Sequence, residues 1–399
     1  MSGMAEYLRS SFRKHGSLLL IQTLIAVGNT AANSFALIYL IREGYDYYAC
    51  SIFIFISCLV PVLLLLFASK IVVRNFSASL NTGMISLVIY YASLMLLEDR
   101  NFLGGWLVVL IPSAMFGIYI VTMWVPYNVL MMHITSVKTR GATIGVYFLV
   151  WPMITAIGPL IGGAIITYYS YDILFSFAIL VILTALFYMS GFRVLRRLKE
   201  RVIIPELVQS VTRGIVQRER PGVDLTGVDK RLSYGLFVEG VIDGVFWLSV
   251  PIISFEFATD ESELSKYLSL FAIWGAAMTV GLGYLSDKIR NRTMFLRAAA
   301  VLSGVSMILA AFAPTVEGYL SGMSMAYFFV AVIPAFLFTM LLDKLERYKK
   351  KGVIIREFLL NVGRCVGVLF TVVLLLLDFD LMSSVVVAGL LAATIAVVR

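Results

Sequence analysis

Two carboxylates and one guanidinium stand inside apolar runs, where an ionisable group is costly and by default marks function. Glu239 and Asp243 lie one helical turn apart in Val238-Glu239-Gly240-Val241-Ile242-Asp243-Gly244, and Arg364 follows Asn361 by three residues in a later run. At about 1.5 Å of rise per residue, Asp243 sits roughly 15 Å into its run, Glu239 roughly 9 Å, and Arg364 roughly 12 Å into its own. At these similar depths Arg364 could meet Asp243. Three chemistries fit them: a structural ion pair, a carboxylate whose protonation is coupled to a solute, or direct contact with a charged solute. Burial disfavours an ionised carboxylate and a neighbouring arginine favours it, so opening and closing the site would change its proton affinity.

Uncharged polar and aromatic residues form a second set. Asn29 and Asn33 share one face of an early run, Trp124, Tyr127 and Asn128 share a face of another beside Pro126, and Trp247 continues the Glu239–Asp243 face. A mostly apolar lining with few charges suits an amphipathic or aromatic solute better than a sugar or a polyanion. Cys50, Cys58 and Cys365 lie inside apolar runs without metal-ligand spacing and read as packing residues. His133 stands at a helix end, and no Walker lysine loop occurs. That excludes an ATP-driven pump and argues against an enzyme; no cofactor or metal is expected.

The elements that position these residues are long apolar runs. The chain is 60% hydrophobic with a mean hydropathy of +0.93, whereas soluble domains are about half apolar. A spanning helix needs roughly 20 apolar residues. The sequence predicts twelve spans, at 17–41, 48–68, 77–97, 103–131, 141–168, 173–191, 233–258, 267–286, 294–313, 318–342, 356–377 and 382–398. The first lacks a small-residue cleavage site and is too long for a signal-peptide core, so it reads as a retained span.

Charge alternates between successive gaps. One side carries Arg9, Arg13 and Lys14, then Lys70 and Arg74, Lys138 and Arg140, the loop from Arg193 to Arg231, Lys288 to Arg297, and Lys344 to Arg356. The other is acidic, with Glu43, Asp46, Glu98, Asp99, Asp172, Asp260, Glu261, Glu263, Glu317, Asp378 and Asp380 against Arg42, Arg100 and Lys266. Cytoplasmic loops retain Lys and Arg, so both termini are expected in the cytoplasm of a multi-pass protein of the cell membrane. The formal net charge of +8 then reports orientation and anionic lipid contact, with no nucleic acid implied.

The longest polar stretch divides the chain into a first bundle of six helices over 1–191, a linker over 192–232 and a second bundle of six over 233–399. Within the linker Ile204, Leu207, Val208, Val211 and Ile215 recur at helical spacing among arginines, which predicts an amphipathic helix on the inner membrane surface.

Two motifs carry a family resemblance. Gly283-Tyr284-Leu285-Ser286-Asp287-Lys288-Ile289-Arg290-Asn291-Arg292 resembles the loop G-x-L-x-D-[RK]-x-x-[RK]-[RK] of the major facilitator superfamily. Gly158-Pro159-Leu160-Ile161-Gly162-Gly163 resembles the core of its fifth-helix antiporter motif, with Ile154 where a further glycine is usual. The first-half counterpart of the loop, 67–74, has neither the glycine nor the aspartate, and the fourth run lacks the arginine usual in proton-coupled drug exporters. The resemblance implies a conformational latch at Gly283, Asp287, Lys288 and Arg290, and a closely packed moving helix at Gly158, Pro159, Gly162 and Gly163. It also implies a cavity lined by spans one, four, seven and ten, with span eleven beside span seven. The expected protein is an all-α secondary transporter of a small organic solute, monomeric and proton-coupled, working as an exporter by antiport. An uptake symporter of the same fold and a non-transporting sensor that kept it are the alternatives.

Overall fold

The structure is a computed structural model that describes residues 19–98, 107–134, 140–191, 223–225, 227–285, 292–345 and 349–398. Among them there is no strand. The helices are α1 (19–33), α2 (Ala36–Arg42), α3 (Tyr47–Arg74), α4 (Phe76–Met95), α5 (Leu107–Ile134), α6 (Arg140–Tyr168) and α7 (Tyr171–Gly191). They continue with α8 (Lys230–Phe257), α9 (Glu261–Leu285), α10 (Arg292–Ala311), α11 (Val316–Val330), α12 (Val332–Lys344), α13 (Lys349–Leu376) and α14 (Leu381–Thr394). Among the described residues, ten stretches are long and apolar enough to cross a membrane; α1–α2 and α11–α12 each count as one, α9 is not among the ten, and 381–397 is shorter.

Apolar side chains drive the helices, and short polar residues start them. Asp46 accepts from the Ala49 amide at 2.8 Å at the head of α3, and Asp380 accepts from the Ser383 amide at 2.9 Å at the head of α14. Such caps satisfy orphan amides of the first turn. Two expected spans are broken. Ser34 Oγ donates to the Thr30 carbonyl at 2.8 Å where α1 gives way to α2. Span ten parts at Ala331, three residues before Pro334, which has no amide to offer the turn before it.

In a bilayer lipid is as apolar as leucine, so helices associate through close packing rather than apolar burial. α3, α5 and α7 pack on α4 or on one another, and α13 and α14 pack on α8, with α10 on α14 and α11. The most extensive contacts between the first and second parts of the chain are α6 on α9 and α3 on α13, with smaller ones of α13 on α5 and of α8 on α2 and α3. Phe67, Tyr168, Leu180, Phe187 and Phe312 are exposed on the outside of the bundle, as a lipid-facing surface requires.

Candidate functional site

Four glycines bring α8 and α13 together. A side chain at Gly240 would run into the Leu360 carbonyl, and one at Gly244 into the Arg364 carbonyl. Reciprocally, one at Gly363 would meet the Phe237 carbonyl and one at Gly367 the Val241 carbonyl. Two Gly-x-x-x-Gly pairs thus face each other, and the backbones approach as only small residues permit.

That seam sets charges of the two helices side by side. Asp243 is the fourteenth of the 28 residues of α8 and Arg364 the sixteenth of the 28 of α13, so both lie near mid-helix. Arg364 Nη2 donates to Asp243 Oδ2 at 2.8 Å, and its Nη1 donates to Asn361 Oδ1 at 3.2 Å. The guanidinium carbon lies 4.1 Å from the centre of the Trp247 ring, a cation–π arrangement.

A second layer lies toward the start of both helices. Arg356 Nη2 donates to Glu239 Oε1 at 3.1 Å and Nη1 to Glu357 Oε1 at 2.7 Å. Its guanidinium carbon is 5.0 Å from the centre of the Phe338 ring. Asn361 Nδ2 donates to the Glu357 carbonyl at 2.7 Å, so Asn361 links the two layers. Glu239, Glu357, Asn361 and Arg364 are all buried. Glu239 Oε2, Arg356 Nε and Arg364 Nε have no hydrogen-bond partner among the described residues.

Arg356 is a correction. The charge alternation assigns it to a basic loop, yet α13 begins at Lys349 and places it two turns inside, paired with Glu239. Glu357 escapes sequence reasoning for the same reason. Its spacing to Asn361 and Arg364, four and then three residues, was the available clue, since such positions share a helix face.

The first half meets this network at α5. Asn128 Nδ2 donates to Glu357 Oε1 at 3.4 Å, and Phe116 lies 6.4 Å from Trp247 between ring centres. Trp124 packs edge-on against Tyr127 at 5.8 Å and Trp151 at 4.8 Å. The Tyr127 hydroxyl donates to Gln22 Oε1. Asp243, Trp247, Trp124 and Asn128 are half-buried, whereas most of α8 is buried, and α5 approaches α8 at Phe116 and Trp247. Asn29 and Asn33 have a different setting: Asn29 Oδ1 accepts from the Tyr91 hydroxyl at 3.0 Å and Asn33 Oδ1 from the Tyr90 hydroxyl at 2.8 Å. Both amide oxygens are tied to α4.

The glycines of the second motif serve packing across two neighbours. Side chains at Gly158 and Gly162 would strike Thr30 and Ala31 of α1, and one at Gly163 would strike Ser265 of α9. Pro159 lies within α6. Of the expected latch, Gly283 falls in α9, while Asp287, Lys288 and Arg290 lie outside the described residues, as do 192–222 of the linker.

Among solved structures, the chain is similar to the human organic anion transporter MFSD10 (TETRAN), at a TM-score of 0.64 and 12% identity over 95% of this chain and 98% of that one. It is also similar to a bacterial homologue of the iron transporter ferroportin in an inward-facing state, at a TM-score of 0.65 and 14% identity over 97% and 99%. The chain has the major facilitator fold. No family model and no curated protein matches its sequence. The contacts α6–α9 and α3–α13 are the most extensive ones between the first and second parts of the chain.

Proposed function

We propose that the chain is a secondary active transporter that moves a small organic solute across the membrane by alternating access, coupled to protons and in the export direction. The observation that carries this reading is the charged network of Glu239, Asp243, Arg356, Glu357 and Arg364, which runs from the first part to the middle of α8 and α13. A bundle that only had to be stable would gain little from it, because desolvating ion pairs offsets most of their attraction. The major facilitator fold and the two transporters it resembles support the same reading, although their cargoes belong to them. In this account 1–191 and 233–399 are six-helix bundles rocking about the α6–α9 and α3–α13 contacts. The loop at Gly283, Asp287, Lys288 and Arg290 latches them, and 192–232 links them in the cytoplasm beside both termini of a monomer in the cell membrane.

Purified protein in proteoliposomes with an internal pH indicator tests this. Outward solute gradients, run over a panel of amphipathic compounds, are expected to drive proton movement the opposite way with at least one of them. Asp243→Asn is expected to abolish that coupling. Solute flux whose pH dependence is the same in wild type, Asp243→Asn and Glu239→Gln would remove the network from the mechanism, and proton movement in the same direction as solute would turn the exporter into a symporter.

A further inference from the structure

The network does not balance. Glu239, Asp243 and Glu357 are three carboxylates, and Arg356 and Arg364 are two guanidiniums, which leaves one negative charge in excess. The other elements packed on α8 supply no further compensation among the described residues. α14 carries no charged residue. On α12, Asp343 and Lys344 are exposed near its end, and Lys344 pairs with Asp229. On α2, Arg42 is taken by Glu261; α9 carries its charges, Glu261, Glu263 and Lys266, at its start; no described side chain of α3 is charged; and among the described side chains of α5 the network meets the neutral Asn128.

An uncompensated charge in an apolar interior is not sustained; it is neutralised by a proton or by a counter-ion. The two ends of the network differ in what they can accept. Glu239 is buried, with a side chain 5% exposed, and its Oε2 is without a partner. A proton fits there and a solute does not. Asp243 has a side chain 29% exposed, hydrogen-bonds through Oδ2, and stands beside half-buried Trp247 on the face that looks toward α5.

We propose that the solute is a monovalent organic cation held at Asp243 beside Trp247, and that it exchanges one for one with a proton on Glu239. The inference rests on the transporter reading and narrows its substrate class. With the cation absent, a proton on Glu239 leaves two carboxylates against two guanidiniums. When the cation arrives, the Glu239 O–H bond breaks, the electron pair stays on the oxygen, and the proton leaves to water. Three carboxylates then face two guanidiniums and the cation. Both states are neutral, so the exchange moves no net charge. An anion would add to the excess, and a neutral solute would leave the proton where it is.

Titration calorimetry on the purified protein, in two buffers of different protonation enthalpy, counts protons released on binding. The probes are tetraphenylphosphonium and the smaller tetraethylammonium, with tetraphenylborate as the isostere of opposite charge. At least one of the two cations is expected to bind more tightly than tetraphenylborate, releasing one proton and gaining affinity as pH rises. Glu239→Gln is expected to weaken that binding at least tenfold and to release no proton, and thermal unfolding of the variant shows whether it is folded. Should the variant fail to fold, proton release from wild type decides alone. Preference for tetraphenylborate, failure of both cations to bind, cation binding without proton release, or wild-type binding by folded Glu239→Gln would each overturn the proposal. Cation binding with proton release but no exchange in proteoliposomes would leave this site standing and sink the transporter reading. Coupled flux of neutral or anionic solutes would do the reverse.

Discussion

Arg42 Nε donates to Glu261 Oε1 at 2.8 Å, joining the end of α2 to the start of α9 across 219 residues of sequence. The Tyr171 hydroxyl donates to the same oxygen at 3.1 Å, and nearby the Tyr47 hydroxyl donates to Glu256 Oε1 at 2.7 Å. Arg42 also lies over Phe255 at 5.0 Å. All these contacts tie the first part of the chain to the second at the acid-rich end of the bundle. Arg42 is half exposed, so the pair is worth about 1 kcal/mol at most, enough to change an open population about fivefold. Glu261→Gln is expected to speed labelling of a single Phe116→Cys by an impermeant thiol reagent applied from outside by about that factor. An unchanged rate would reduce the cluster to surface decoration, and faster labelling only from inside would invert the assigned sidedness.

Breaking the Asp243–Arg364 pair should cost more than removing it. Arg364→Ala leaves Asp243 without its cation and is expected to destabilise the protein by about 3–5 kcal/mol, as for other buried pairs. Adding Asp243→Asn is expected to restore most of the loss. Thermal unfolding of the wild type, both single variants and the double variant gives the coupling directly. Additive effects would show that the two side chains do not interact.

The glycine seam gives a steric prediction. A Cβ at Gly363 would lie 2.9 Å from Gly240 Cα and from the Val241 amide nitrogen, distances that force α8 and α13 apart. Gly363→Ala is expected to lower stability by about 1–3 kcal/mol, the usual range for overpacking. At Gly275 the nearest atom is the Tyr327 carbonyl oxygen at 3.6 Å, an ordinary contact, and Gly275→Ala is expected to be neutral or stabilising by up to about 1 kcal/mol. The comparison fails if the two substitutions have the same effect on the melting temperature.

Outside the apolar segments, Asp229 caps α8. Its Oδ1 accepts from the Arg231 amide at 3.1 Å and its Oδ2 pairs with Lys344 at 3.2 Å. The amide hydrogen bond and then the lysine hold its carboxyl below the usual carboxylate range. A folded-state value below the unfolded one contributes stability that is present above about pH 4 and lost as the pH falls further. Asp229→Asn is therefore expected to melt slightly below wild type at pH 6, with the gap closing by about pH 3. A gap that persists or widens in acid would mean that the charge plays no part.

Asp243 and Arg364 are legible in the sequence because a charge inside an apolar run stands out. Arg356 and Glu357 are not, because Lys349, Lys350 and Lys351 precede them and a charged loop has the same composition as a charged first turn of helix. The fold is legible to the same degree: long apolar runs announce helices. The break at Ala331 is signalled only by Pro334, and neither a proline nor a glycine stands at the break after residue 33. The engagement of Asn29 and Asn33 by tyrosines of α4 is a tertiary fact. Helical spacing shows which residues share a face, but not which neighbour that face meets.

The four-glycine seam also bears on what could change in the proposed transport cycle. With no side chains at these four positions, α8 and α13 meet backbone to backbone. In that cycle Glu239, Asp243, Arg356, Glu357 and Arg364 would travel together with the α8–α13 pair. What would vary is the water that reaches Asp243 and the distance to α5. Under the proposed function, the chemistry would be switched by wetting while the charges keep a constant geometry.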